Sequence, residues 1–129
     1  MTSGTHAHTV LIVDDQRVVL RVFGLALEGA GYRVLVADNA DAALDAVRRE
    51  SVDAIMIDLT MPYVNGMGLV YRVREVAQQL PIAMITGMPN VAAETREELD
   101  ALDIPLYFKP LSPGKIEEIV GALIAGRSA

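Results

Sequence analysis

Three aspartates follow short apolar runs, where carboxylates could do chemistry. Asp14 and Asp15 come directly after residues 10–13, and Asp58 comes directly after residues 54–57. Carboxylates held close together repel one another, and proteins tolerate such a cluster when a divalent cation lies among them. Oxygen ligands alone suit a hard ion, and Mg²⁺ commonly takes a few carboxylates and keeps its waters. If the three aspartates meet in the fold, they predict a magnesium site.

Two further polar residues occupy the same kind of position. Thr86 follows residues 81–85, and Lys109 follows residues 105–108. A lysine ammonium is a good point-charge partner for a carboxylate or a phosphoryl oxygen, and a threonine hydroxyl can donate a hydrogen bond to another oxygen. A cation, an ammonium and a hydroxyl around one aspartate form a pocket for a phosphoryl group, because phosphoryl transfer depends mainly on positioning and charge neutralisation.

Each of these residues alone also fits a purely structural role. Asp14 or Asp15 could cap the helix that follows, and Asp58 could belong to a turn. Thr86 could start a turn, and Lys109 could be a solvated lysine. A cap explains one aspartate of the adjacent pair but not both, so we favour the metal site.

Apolar runs alternate with helical patterns five times along the chain. Parallel strands need crossover helices, and right-handed crossovers cover both faces of a sheet. The sequence therefore predicts an α/β, flavodoxin-like (βα)5 fold, a doubly wound, five-stranded parallel sheet in the order 2-1-3-4-5. Ligands of such a sheet bind outside the carboxyl ends of its strands, so the candidate residues should converge there. The predicted strands are residues 9–13, 33–37, 53–57, 81–85 and 105–108, and the predicted helices are 16–30, about 40–50 with Asn39 as its cap, one that begins at 66, 91–102, and one that begins after the cap residue Ser112.

Composition and charge limit the function. The chain has 11 Lys and Arg against 17 Asp and Glu, a net charge of −6. This balance argues against direct binding of nucleic acid, because phosphate binding needs a basic surface. The absence of cysteine excludes disulfides and thiolate metal sites. Because the chain shows no signal-peptide pattern and no apolar run of bilayer length, we expect a soluble, cytoplasmic protein without a membrane partner.

The length of 129 residues fits one domain. We expect it over residues 9–125, between a flexible N-terminal tail at 1–8 and a short C-terminal tail at 126–129. His6 and His8 in the N-terminal tail could bind a metal, but without further ligands we favour a loose polar tail.

Four motifs stand in order at the predicted strand ends. They are Asp-Asp at 14–15, DLTMP at 58–62 with Gly66 eight residues after Asp58, Thr-Gly at 86–87 and Lys-Pro at 109–110. From about Thr9 to Ala125 the chain resembles the receiver domain of two-component response regulators. The resemblance implies that Asp58 is the phosphoacceptor, taking a phosphoryl group from a phosphohistidine. It also implies that Asp14, Asp15, Asp58 and the backbone carbonyl of Thr60 hold Mg²⁺.

The resemblance implies roles for the other site residues as well. Lys109 would contact the phosphoryl oxygens, and Thr86 would swing toward the phosphoryl group and carry the switch. A cis peptide bond would join Lys109 to Pro110, a form accessible at modest cost only before proline. The chain would not be an enzyme with an external substrate, although it could catalyse its own phosphorylation and slow autodephosphorylation.

Partners are implied in the same way. A sensor histidine kinase or a histidine phosphotransfer protein would donate the phosphoryl group, and an unknown downstream protein would receive the signal. The chain would be a monomer or a weak dimer. Because no output domain follows the last predicted helix, we expect a stand-alone receiver, a phosphorelay shuttle or the receiver piece of a larger protein.

The sequence departs from the family pattern at two places. Receivers often carry an aromatic residue three positions before the lysine, and here that residue is Leu106. Tyr107 should point to the opposite face of the strand, so either the signal travels through Thr86 and the backbone, or Tyr107 substitutes in a shifted register. The residues that flank the attacking water in the family are here Thr60 and Met88. A thioether is a weak acceptor, so we predict slow autodephosphorylation.

Two helices carry surplus side chains whose roles stay open. Val18, Leu20 and Leu25 on the first helix lie beyond its core stripe, and they could dock on the phosphodonor or simply be buried. The fourth helix is acidic, and we favour a solvated face there over a site for a basic partner. Its charged residues are Glu94, Glu97, Glu98 and Asp100, with Arg96 as the basic one.

Two other functions remain as alternatives. One is a degenerate receiver that serves only as a protein–protein scaffold, which the complete set of site residues disfavours. The other is a Mg²⁺-dependent phosphatase or phosphotransferase with an aspartyl-phosphate intermediate. Such enzymes place the nucleophile after their first strand, whereas Asp58 follows the third, so we rank this alternative last.

Overall fold

The structure, a computed structural model, describes residues 7–61 and 64–128. Within them, helices follow strands in regular alternation. A two-residue antiparallel pair, Thr60–Met61 with Val64–Asn65, lies between the third strand and the third helix. The elements are β1 Thr9–Val13, α1 Arg17–Gly29, β2 Arg33–Ala37, α2 Ala40–Arg49, β3 Ala54–Asp58, α3 Gly66–Val76, β4 Ile82–Thr86, α4 Ala93–Ala101, β5 Leu106–Phe108 and α5 Pro113–Ser128.

The main sheet has five parallel strands in the order β2-β1-β3-β4-β5. The predicted flavodoxin-like fold and strand order are therefore confirmed. The registers align the carboxyl ends of the central strands: Val13 of β1 lies opposite Ile57 of β3, and Asp58 lies opposite Ile85 of β4. This alignment brings the residues after each strand to one edge of the sheet.

Two apolar layers hold the sheet between its helices. Strand residues alternate between the layers, because successive side chains of a strand point to opposite faces. Each fully buried Leu or Ile contributes about 1.5–3 kcal/mol, so the three central strands carry much of the stability. One layer joins Leu11, Val13, Ile55, Ile57 and Met84 to α2, α3 and Leu99 of α4, and the other joins Val10, Ile12, Met56, Ala83 and Ile85 to α1 and α5.

Several boundaries differ from the predicted ones by one to three residues. Asp58 and Thr86 are the last residues of β3 and β4 rather than the first residues after them. Helix α4 covers Ala93–Ala101 instead of 91–102, and its N-cap Ala92 has no side-chain oxygen to accept a hydrogen bond. Helix α5 continues to Ser128, past residue 125 where we placed the end of the domain, so residues 126–128 are helical.

The predicted helix caps are confirmed at two helices. The Asn39 side chain accepts a hydrogen bond from the backbone N–H of Ala42 at 2.8 Å, at the start of α2. The Ser112 hydroxyl oxygen accepts one from the backbone N–H of Lys115 at 3.1 Å, at the start of α5. A cap of this type contributes about 1 kcal/mol.

His8, which we placed in the N-terminal tail, is attached to the start of β2. The His8 carbonyl accepts a hydrogen bond from the Arg33 N–H at 2.9 Å, and His8 Nδ1 lies 3.6 Å from Asp53 Oδ2. Residues 1–6, and with them His6, lie outside the described residues. In the part of the chain that is described, no helix combines the length and the apolar character that crossing a membrane requires.

Gly66 lets the start of α3 pass very close to the end of β3. A Cβ atom at this position would lie 2.8 Å from both the Asp58 carbonyl oxygen and the Leu59 Cα. Both neighbours are backbone atoms, which cannot rotate away as the end of a side chain can. The loop after Asp58 therefore depends on the missing side chain at residue 66.

Gly66→Ala should lower the free energy of unfolding by about 2–4 kcal/mol, because the added methyl forces the backbone around Asp58 to move. Gly121→Ala is the matched control, since a Cβ there meets nothing within 4 Å and alanine favours the interior of α5. The control should gain about 0.5–1 kcal/mol. Urea unfolding of both variants measures the difference, and equal stabilities would contradict the close approach.

Candidate phosphoryl and metal site

Three carboxylates meet at the carboxyl edge of the central strands. One oxygen from each of Asp14, Asp15 and Asp58 lies within 4.8 Å of the others. Asp14 is 2% exposed and Asp58 is 5% exposed, whereas Asp15 is open to solvent. The meeting follows from the fold, because β1 and β3 are adjacent and end at the same level. Such a set of hard oxygen donors, open to water on the side of Asp15, fits a divalent cation such as Mg²⁺.

Asp14 is held by contacts on both carboxylate oxygens. Oδ1 accepts a hydrogen bond from the Gln16 N–H at 2.9 Å, and Oδ2 accepts one from Lys109 Nζ at 2.8 Å. The first contact is the local capping role that an aspartate often takes before a helix. Asp14 thus combines the structural role and a place in the carboxylate cluster, and Asp15 provides the third carboxylate.

Lys109 brings a positive charge into the cluster. Its Nζ lies 2.8 Å from Asp14 Oδ2 and 3.7 Å from Asp58 Oδ2, and its side chain is largely buried. The backbone N–H of Lys109 donates to the Thr86 carbonyl at 2.8 Å, which fixes the residue at the end of β5. The peptide bond to Pro110 is cis, as the resemblance implied. The ammonium therefore bridges two of the three carboxylates.

The environment of Asp58 disfavours its negative charge. The pKa of Asp58 is raised from 3.8 to about 6, and burial is the largest of the causes. The negative charges of Asp14 and Asp15 also contribute to this rise. The Thr60 N–H, which donates to Asp58 Oδ1 at 3.1 Å, and the Lys109 ammonium lower it. The repulsion exceeds what one lysine offsets, so the site favours an additional cation.

Thr86 and Thr60 lie beside the cluster, and both contact Met88. The Thr86 hydroxyl oxygen is buried and accepts a hydrogen bond from the Met88 N–H at 3.0 Å. The Thr60 hydroxyl donates to Met88 Sδ at 3.3 Å. All of the residues that the sequence selected thus lie at the same edge of the sheet: Asp14, Asp15, Asp58 and Lys109 in direct contact range, with Thr60 and Thr86 beside them.

The aromatic residues of β5 settle one question that the sequence left open. Tyr107 packs in the layer with α1 and α5, with Lys115 Nζ 5.5 Å from its ring centroid, whereas Leu106 packs in the opposite layer. The predicted opposite orientation is confirmed, and Tyr107 does not take the place of the missing aromatic through a shifted register.

Phe108 is the other aromatic residue of β5, to which the sequence assigned no role. It lies opposite Thr86 in the parallel register, and Arg96 of α4 lies 5.5 Å from its ring centroid. Strand alternation already places Phe108 on the same face as Leu106, two residues earlier, and this pattern could have identified it.

The outer face of α1 is apolar. Val18 is 73% exposed, and Val22 and Leu25 on the same stripe are also exposed, whereas Leu20 is buried in the core. Of the three surplus residues that the sequence left open, Leu20 is therefore buried and Val18 and Leu25 face solvent. Arg17 and Arg21 line a groove beside this stripe, with a volume of about 470 Å³.

Known proteins similar to this chain belong to the family that the site residues suggested. The chain matches the family model of the response regulator receiver domain over residues 10–121. It is 33% identical over 116 residues to a probable transcriptional regulator ycf27 from Guillardia theta. The aligned region covers 89% of this chain and 44% of that protein. The chain spans about half the length of the curated relatives it matches.

Solved structures share the fold. A CheY-like response regulator receiver domain protein from Methanospirillum hungatei JF-1 superposes with a TM-score of 0.86 at 22% identity, over 95% of this chain and 98% of that one. A response regulator protein from Burkholderia pseudomallei, with a phosphorylated aspartic acid, calcium ion and citrate, superposes with a TM-score of 0.77 at 26% identity. It covers 94% of this chain and 69% of that one. The chain belongs to the response regulator receiver domain family of two-component signal transduction.

The raised pKa of Asp58 leads to a stability prediction. Because the folded pKa of about 6 lies above 3.8, the ionised carboxylate destabilises the fold above pH 6, and this cost disappears below pH 3.8. Without divalent cations, Asp58→Asn should therefore raise the free energy of unfolding by about 1–3 kcal/mol at pH 7.5. The gain should shrink to roughly a third at pH 4.5.

Urea unfolding in EDTA at the two pH values tests this expectation. The matched control is Asp45→Asn on α2, an exposed aspartate that pairs with Arg49 at the helix surface. Its effect should stay within about 0.5 kcal/mol at both pH values. A gain for Asp58→Asn that does not depend on pH would show that burial of the charge is not its cause.

Proposed function

We propose that this chain is a phosphorylation-activated switch that accepts a phosphoryl group from a phosphohistidine onto Asp58. The observation that carries this proposal is the cluster of Asp14, Asp15 and Asp58 within 4.8 Å, with the Lys109 ammonium between two of them. The similar Burkholderia protein, whose structure contains a phosphorylated aspartic acid and a calcium ion, supports phosphorylation of an aspartate in a protein of this fold.

Asp14, Asp15, Asp58 and the backbone carbonyl of Thr60 would hold Mg²⁺. When bound, the ion neutralises charge on the carboxylates and on the transferring phosphoryl group. The raised pKa of Asp58 leaves a measurable fraction of the carboxyl protonated near neutral pH in the absence of the ion. The ionised carboxylate is the form that can act as the nucleophile.

The transfer uses one oxygen of Asp58. That oxygen forms the bond to phosphorus, the bond between phosphorus and the donor imidazole nitrogen breaks, and the electron pair stays on that nitrogen. The Thr60 N–H, which already donates to Asp58 Oδ1, holds the carboxylate plane in place for the attack. Lys109 then gives up part of its contact with Asp14 and stabilises a phosphoryl oxygen.

Thr86 would report the modification. Its hydroxyl oxygen accepts from the Met88 N–H, and its own proton can be donated to a phosphoryl oxygen. A shift of the Thr86 side chain toward the phosphoryl group would weaken the contact with Met88. Because Phe108 lies opposite Thr86 on β5 and contacts Arg96 of α4, the change would be felt at the α4 surface.

The first test is intact-mass spectrometry after incubation with acetyl phosphate and Mg²⁺. The wild type should gain about 80 Da, the mass of one phosphoryl group, and the gain should disappear with EDTA or in Asp58→Ala. The phosphorylated form should persist for minutes or longer, because Met88 is a weak acceptor for the attacking water. A wild-type protein that neither gains mass nor binds Mg²⁺ would instead favour a scaffold function.

The apolar stripe of α1 suits a helical phosphodonor. Val18, Val22 and Leu25 are spaced as one face of a helix, and Arg17 and Arg21 border them. An apolar helix face with a basic rim fits a partner helix with an apolar face and acidic edges. We therefore propose that a sensor histidine kinase or a histidine phosphotransfer protein docks on α1.

Val22→Asp should slow phosphotransfer at least about tenfold, because it places a charge in the middle of the stripe. The donor for this assay is the first kinase of a purified histidine-kinase panel that phosphorylates the wild type. Phosphorylation by acetyl phosphate should be unchanged, since it needs no docking. Val76→Asp, at an exposed valine on α3, is the matched control and should behave as the wild type in both assays. Equal slowing by both variants would argue against a docking role for α1.

A further inference from the structure

Met88 differs from the other methionines in its exposure. Among the methionines that the structure describes, Met88 is 48% exposed, whereas the others are 6% exposed or less. The buried ones are Met56, Met61, Met67 and Met84. An aqueous oxidant therefore reaches the thioether of Met88 far more readily than the others, because oxidation of a methionine follows its accessibility.

The position of Met88 links it to the phosphoacceptor. Its sulfur accepts a hydrogen bond from the Thr60 hydroxyl at 3.3 Å, and its backbone N–H donates to the Thr86 hydroxyl oxygen at 3.0 Å. It lines a groove of about 290 Å³ between the loop after Asp58 and the start of α4. A chemical change at this sulfur thus directly affects Thr60, while the backbone of the same residue contacts Thr86.

We propose that Met88 is an oxidation site through which a peroxide changes the lifetime of the phosphoryl group on Asp58. The effect on lifetime rests on the proposed function. In the modification, the sulfur lone pair attacks one peroxide oxygen and the O–O bond breaks. The products are methionine sulfoxide and water, or an alcohol from an organic peroxide, so that sulfur loses two electrons and the peroxide gains them.

Oxidation replaces a weak acceptor with a strong one. A thioether sulfur accepts hydrogen bonds poorly, whereas a sulfoxide oxygen is polar and extends beyond the sulfur. The Thr60 hydroxyl can donate to this oxygen, and a water molecule in the groove can donate to it as well. If a water held there faces the phosphoryl group on Asp58, this hydrogen bond would orient it for attack, and we therefore expect oxidation to speed autodephosphorylation. One well-formed hydrogen bond corresponds to about a fivefold change in rate.

The first experiment locates the oxidation. The wild-type protein is treated with dilute hydrogen peroxide, and peptide mapping measures the gain of one oxygen, about 16 Da, at each methionine. Met88 should be oxidised well before Met61, Met67 and the two strand methionines. Comparable oxidation of a buried methionine at the same peroxide dose overturns the proposal.

The second experiment measures the consequence. The aspartyl phosphate formed with acetyl phosphate is followed by intact mass before and after peroxide treatment, with Mg²⁺ present. The wild type should lose the phosphoryl group about fivefold faster after oxidation. Met88→Leu should lose this response, Met88→Gln should show the faster rate without peroxide, and Met67→Leu, changed at a buried methionine of the same groove, should keep the response.

The outcomes separate this proposal from the proposed function. If no aspartyl phosphate forms in either the untreated or the oxidised protein, the proposed function and the effect on lifetime are both wrong. The peptide map still decides whether Met88 is the oxidised residue. An aspartyl phosphate whose lifetime stays unchanged or lengthens after oxidation of Met88 overturns the proposal and leaves the proposed function intact.

Discussion

The repulsion among three aspartates is the constraint on which the site depends. Two of the carboxylates, Asp14 and Asp58, are almost fully buried, and burial strengthens every charge interaction because little water remains to screen it. In the described residues, Lys109 is the cation within salt-bridge distance of both. One ammonium leaves the cluster with net negative charge, so the folded chain holds an acidic pocket that favours a cation.

The sheet provides the rigidity that this arrangement needs. Mutual repulsion would separate the carboxylates in a soft structure, but β1 and β3 are buried throughout and pair directly from Val10–Ala54 to Val13–Ile57. Gly66 adds a second fixed point by allowing α3 to start against the backbone of Asp58. The apolar core opposes this repulsion. Opening the core would lose more free energy of apolar burial than the carboxylates would gain by moving apart.

The sequence predicted the sheet, and the convergence of Asp14, Asp58 and Lys109 at one of its edges, because both depend on local patterns. Continuous apolar runs identified the buried strands, and the topology rules then brought Asp14, Asp58 and Lys109 to one edge without any knowledge of side-chain packing. Contacts between elements could not be predicted in this way. The thioether of Met88 beside Thr60 depends on how two loops approach each other, and periodicity describes only the element that carries it.

Helix α4 is held weakly enough that a change at the site could alter its position with little free energy. This helix buries a single residue, Leu99, whereas each other helix of the described chain buries three or more. Two contacts also attach it at the surface: a hydrogen bond between Tyr71 and Glu98, and a cation–π contact between Arg96 and Phe108. An exposed contact of the latter kind contributes about 0.5–1 kcal/mol. A hydrogen bond gained or lost at the neighbouring Thr86–Met88 loop is comparable in size, so α4 is the helix whose position such a bond can change.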